Sequence, residues 1–123
     1  MSSSGQYIAG IIYRGAIYIS SNYGHTWVPR VSGTDSSNEL TRTSIVMSAT
    51  GEFMATCINA SGGVGNIFRS TNYGQDWGNV SIDGNRNVNW ANMSMSASGQ
   101  YVVACINDRG IYISSDYGNT WVG

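Results

Sequence analysis

The sequence predicts an all-β protein assembled from three copies of one antiparallel unit. Two observations carry that prediction: a composition suited to turns and short strands, and an internal repeat running through the chain. Sixteen glycines, one proline and eight tyrosines stand beside abundant Ser and Asn, the residues of turns and strands rather than helices. The apolar runs show no sustained 3.6-residue period, so helix is a poor description. With 41% hydrophobic and 11% aromatic residues the chain can bury a core, which argues against disorder. Its 123 residues set a single domain, 1–123, as the default.

Each unit carries the same turn: MSSSGQY (1–7), MSATGEF (47–53) and MSASGQY (95–101) align without gaps. The strand candidates that follow are YIAGIIY (7–13), FMATCIN (53–59) and YVVACIN (101–107), short and rich in β-branched and aromatic residues. A glycine-containing link leads to AIYIS, NIFRS or GIYIS, which reads as the next strand of a hairpin. A turn and a strand opening at Trp27, Trp77 or Trp121 come next. The fourth strand of a unit lies before the shared Met-Ser, in TSIVMS (43–48) and NWANMSMS (89–96). Ser-, Asn-, Asp- and Gly-rich loops separate the units, which span about 1–30, 43–80 and 89–123. A repeat period in the forties suits four-stranded antiparallel propeller blades, so three such blades are expected in the chain.

The second repeated segment is SSNYGHTW (20–27), STNYGQDW (70–77) and SSDYGNTW (114–121). It fits S-x-[DN]-x-G-x-[TD]-W and resembles the Asp-box of the BNR repeat, found in sialidase-like β-propellers, sortilin-type receptors and photosystem assembly propellers. The octet residues are Ser20, Asn22, Gly24, Thr26 and Trp27; Ser70, Asn72, Gly74, Asp76 and Trp77; and Ser114, Asp116, Gly118, Thr120 and Trp121. The role expected of them is structural. Asn22, Asn72 or Asp116 can close an Asx-type turn, the glycine supplies a positive φ, and the Trp folds back over the hairpin. Asp76 stands where the other octets have Thr, so that hairpin is expected to be slightly less well satisfied. The resemblance implies that the octets lie on the face opposite a ligand site.

Charge excludes whole classes of function. The six cations, all Arg, meet seven acids for a net charge of −1, which leaves no footprint for nucleic acid. No apolar run is long enough for a membrane span, and the N-terminal segment does not read as a signal peptide. The resemblance to sialidases does not extend to their chemistry: the arginine–isoleucine–proline motif is missing. Glu52 occupies a turn slot held elsewhere by Gln6 and Gln100. His25 fills a turn position shared with Gln75 and Asn119. No catalytic residue, metal site or cofactor is expected. Cys57 and Cys105 occupy the same place in successive units and read as two buried free thiols, which suits a reducing compartment such as the cytoplasm.

The departures from the repeat mark a candidate ligand face at the variable loops: Arg14, Arg42, Asn59, Asn66, Asn87, Asn89, Trp90, Asp108 and Arg109. Trp90 would serve there as an aromatic plate for a carbohydrate or a peptide. Three blades leave two open flanks, and the expected answer is a homodimer closing a six-bladed ring. The open flanks are expected to draw on Ile8, Ile11 and Ile17 at one end and Val103, Cys105 and Ile111 at the other. The function expected is that of a non-enzymatic binding or assembly module. The alternatives are a lectin-like propeller, a half-propeller with a purely structural role or, further off, a degenerate glycosidase.

Overall fold

The computed structural model describes residues 1–13, 15–30, 40–60, 65–80, 82, 88–107 and 110–123; the side chains of Leu40, Arg42 and Ala60 lie outside that description. Among the described residues every regular element is a strand. The first sheet holds β1 (Ile8–Ile11), β2 (Ile17–Ser20) and β3 (Val28–Arg30), and the second β4 (Leu40–Met47), β5 (Met54–Ala60), β6 (Asn66–Ser70) and β7 (Gly78–Val80). The third holds β8 (Trp90–Met95), β9 (Val102–Ile106) and β10 (Gly110–Ser114), with an isolated bridge from Ile113 to Val122 at its outer edge. All pairings are antiparallel and follow chain order. Only the middle sheet has the expected four strands. Among the described residues the first sheet has three strands, β1 to β3. In the third the outer strand is reduced to one bridge.

Alternation along the strands decides what each sheet offers its neighbours. Ile17 and Ile19 turn from the first sheet onto Met54, with Ala9 and Ile11 packed alongside. Ala55, Cys57 and Ile67 turn from the second sheet onto Val102, Ala104 and Ile106 of the third. The sheets therefore stack through two apolar seams. By the same alternation Ile8, Gly10 and Ile12 line the open flank of the first sheet. Val103, Cys105, Ile111 and Ile113 line that of the third. This corrects the flank expected from sequence: Ile11 and Ile17 face inward, onto the second sheet. It also corrects the thiols. Cys57 is buried, and burial pushes its pKa up, while Cys105 on the open flank is only half-buried.

The shared Met-Ser turns form a ladder across the stack. Ser2, Ser48 and Ser96 each accept, at Oγ, the N–H of the residue five positions on, at 3.0–3.1 Å. Between sheets, Ser3 N–H donates to the Ala49 carbonyl at 2.7 Å, and Ala49 N–H to the Ala97 carbonyl at 2.8 Å. Ser3, Ala49 and Ala97 are aligned positions, so one contact is made twice.

Candidate functional site

The octets are built alike. Gly24, Gly74 and Gly118 donate their N–H to the octet serine Oγ at 2.8–2.9 Å. That hydroxyl donates in turn to Oδ1 of Asn22, Asn72 or Asp116, which accepts the N–H of residue 26, 76 or 120. The Trp27, Trp77 and Trp121 indoles close the hairpin by donating to the glycine carbonyl at 3.0–3.1 Å. Asp76 is not a weak point. Asn72 Nδ2 donates to its carboxylate at 2.7 Å, just as Asn22 Nδ2 donates to Thr26 Oγ1 and Thr120 Oγ1 to Asp116 Oδ2. Asp76 accepts as Thr26 does, the direction is reversed at Asp116 and Thr120 alone, and the bond is kept in all three octets. At Asp116 the Thr120 hydroxyl, followed by the Thr120 N–H, holds the carboxyl down at about 2.

Sequence reasoning missed one octet residue. Tyr23, Tyr73 and Tyr117 sit at φ 58°, 59° and 61°, directly before glycines at 83°, 75° and 78°. A tyrosine in the left-handed region costs roughly 1–2 kcal/mol, so its position must be held by other contacts. Each Tyr N–H donates to the preceding shared turn, at the carbonyl of Gln6, Glu52 or Gln100. Two of the rings also reach across a seam: Tyr73 packs on Tyr7 at 4.7 Å between centroids, and Tyr117 on Phe53 at 4.5 Å. The signal was in the sequence, because this variable octet position is Tyr all three times.

The loop face differs from the expected site. Arg14, Asn87, Asp108 and Arg109 lie outside the described residues; Arg42 contributes described backbone in β4 only. Asn66 is half-buried at the start of β6, and Asn89 is exposed, its carbonyl accepting Asn107 N–H at 3.0 Å. Asn59 and Trp90 do come together, but as a structural clamp. Asn59 Nδ2 donates to the Trp90 carbonyl at 2.9 Å while its Oδ1 accepts Trp90 N–H at 2.7 Å. The Trp90 side chain is buried in the core beside Tyr112, so it is not an exposed plate. A register shift between Trp90 and Asn92 explains the difference. Strict alternation puts residues three apart on opposite faces, yet this bulge turns Trp90 inward with Met93. Its Nε1 is the one buried side-chain polar atom without a partner among the described residues.

On the octet side, a cavity of about 220 Å³ opens at the first seam, lined by residues that include Tyr7, Ile19, Tyr73 and Gln75. A second, of about 320 Å³, borders Arg69, Asn72, Asp76 and Trp77. Arg69, Asn72, Asp76 and the Trp77 indole are already engaged. Arg69 donates to Asn119 Oδ1 at 2.8 Å and to the Tyr117 carbonyl at 3.4 Å, across the second seam. The charge in the apolar slot of Ile19 and Ile113 thus serves packing between sheets.

Consecutive antiparallel sheets, joined in chain order and stacked face to face through repeated seams, define a β-propeller fold, here as three blades. Solved structures agree. The chain is similar to YCF48 bound to D1 peptide, with a TM-score of 0.74 at 15% identity over 98% of this chain and 36% of that one. YCF48 from Cyanidioschyzon merolae is similar at TM-score 0.70 and 15% identity, over 95% of this chain and 35% of that one. The GH74 enzyme of Niastella koreensis is similar at TM-score 0.74 and 14% identity, over 99% of this chain and 20% of that one. The chain thus spans about a third of the YCF48 structures and a fifth of that enzyme. No protein-family model and no curated protein matches the sequence.

Proposed function

We propose that this chain is a non-enzymatic propeller module of the Asp-box type, which associates with further blades to complete a ring. One observation carries the reading. At the same blade position Ile17 and Ile67 are 0% exposed, whereas Ile111 is 59% exposed on the open flank of blade three. Covering such a flank gains about 25 cal/mol for each Å² of apolar surface removed from water, against the cost of association. The low charge content sets little repulsion against that contact. Two carboxylates support the non-enzymatic part: Asp76 and Asp116 are bonded within their own hairpins.

The mass in solution tests the ring. Light scattering at micromolar concentration should give a discrete multiple of 13.2 kDa, two copies for a six-bladed ring. A folded particle of single-chain mass overturns the reading, as turnover of a fluorogenic glycoside overturns its non-enzymatic part. For the loop face, a peptide ligand is favoured over a carbohydrate. The similar YCF48 structure is of that protein bound to D1 peptide, and the aromatic plate that a sugar would stack on is buried.

A further inference from the structure

The two internal seams use the same pairs of positions, and the pairs show what a third seam would need. On the giving side of a seam stand an aromatic at the end of the shared turn and the third-strand isoleucines. On the receiving side stand the octet Tyr, Gly and Trp of the next blade. Tyr7 meets Tyr73 and Phe53 meets Tyr117. Ile17 and Ile19 pack with Trp77, and Trp121 packs on the cluster that holds Ile67. The turn glycines fit the same scheme: a Cβ on Gly51 would lie 2.8 Å from Tyr7 Cβ, and one on Gly99 would lie 2.8 Å from Phe53 Cβ.

Each of these pairs has one unmatched half at either end of the chain. Tyr101, the third giving aromatic, is 52% exposed, and Tyr23, the first receiving tyrosine, is 62% exposed. Ile111 and Ile113 are uncovered, and so is Trp27 at 43%. Gly5 has open space where Gly51 and Gly99 are in close contact. The receiving surface of this pattern that stands unfilled on the chain is that of its own blade one.

Resting on the ring-completion reading above, we infer that blade three docks on blade one of a second copy, in the register of the internal seams. Tyr101 then stacks on the second copy's Tyr23, Ile111 and Ile113 cover its Trp27, and Ala97 N–H meets its Ser3 carbonyl. The residues facing one another favour this order. Arg69 of blade two has an amide acceptor in Asn119, whereas His25 holds that position in blade one, opposite an isoleucine, Ile113. Two such seams, related by a two-fold axis, close six blades.

Cys105 reports on the seam directly, because it lies opposite Ile111 in the β9–β10 register and so on the same flank. In a wild-type dimer both thiols should react slowly with a thiol reagent. Ile111→Asp should give a folded monomer in which Cys105 reacts roughly tenfold faster or more while Cys57 stays slow. If Ile111→Asp fails to fold, Tyr23→Ser tests the seam from the other side, with the same expected loss of dimer and exposure of Cys105. A wild-type dimer with fast Cys105 labelling, or one whose mass neither variant changes, overturns this seam and leaves ring completion to another surface. A folded wild-type monomer overturns both.

Discussion

Asp116 shows how one side chain sets the behaviour of an octet. It accepts from Ser114, from the Thr120 N–H and from the Thr120 hydroxyl, at 2.6–2.9 Å. These bonds favour the ionised form, so its pKa falls from 3.8 to about 2. A depressed carboxyl contributes stability that is present in full above its unfolded value and lost as pH falls through the folded one. The third hairpin should therefore weaken between about pH 4 and pH 2. Asp116→Asn should flatten that part of the stability–pH curve, read from denaturation midpoints; an unchanged acid slope would place the titration elsewhere. The octet chemistry was legible in the sequence because each bond joins residues two to four apart. Its tyrosine was not understood from sequence, since the bond common to all three runs to a turn some seventeen to twenty-one residues away and the rings that meet Tyr73 and Tyr117 belong to another blade.

At the scale of an element, the order of strands and turns was legible, but four strands are found in the middle sheet alone among the described residues. The faces of Ile11, Ile17 and Trp90 were not legible. The β8 bulge reverses the side of Trp90, and the Asn59 amide locks the result by bonding both backbone groups of that residue. Gly65 belongs to the same arrangement. A Cβ there would fall 2.1 Å from the Val88 carbonyl oxygen and 2.9 Å from Trp90 Cδ1. Gly65→Ala should then cost about 1–3 kcal/mol or more, because the obstacle is backbone and cannot swing aside. Gly78→Ala has open space and serves as the control, with little change expected. Equal denaturation midpoints for the two variants would show that the 88–90 segment yields freely.

For the whole molecule, the open flanks make stability a question of assembly. If folding and ring closure are linked, the thermal midpoint must rise with protein concentration, by a few degrees per tenfold. A midpoint independent of concentration would mean that the three blades hold on their own. What association would change is the state of the end blades, where Trp27, Ile111 and Ile113 lack the cover their counterparts have.

The sequence by itself determined the all-β class, the three-fold repeat, the order of strands and the internal bonding of the octets. These depend on local turn chemistry and on period-two patterning, both of which act within a few residues. Only the tertiary structure decided which face of each strand points inward and that Trp90 is core. It also assigned Arg69 to Asn119, and Tyr73 and Tyr117 to rings of the neighbouring blade. Those outcomes depend on contacts between residues more than thirty positions apart, and on a bulge that shifts the alternation by one. A linear pattern carries no information on which partner lies across a seam, and burial at the seam is what selects among the faces.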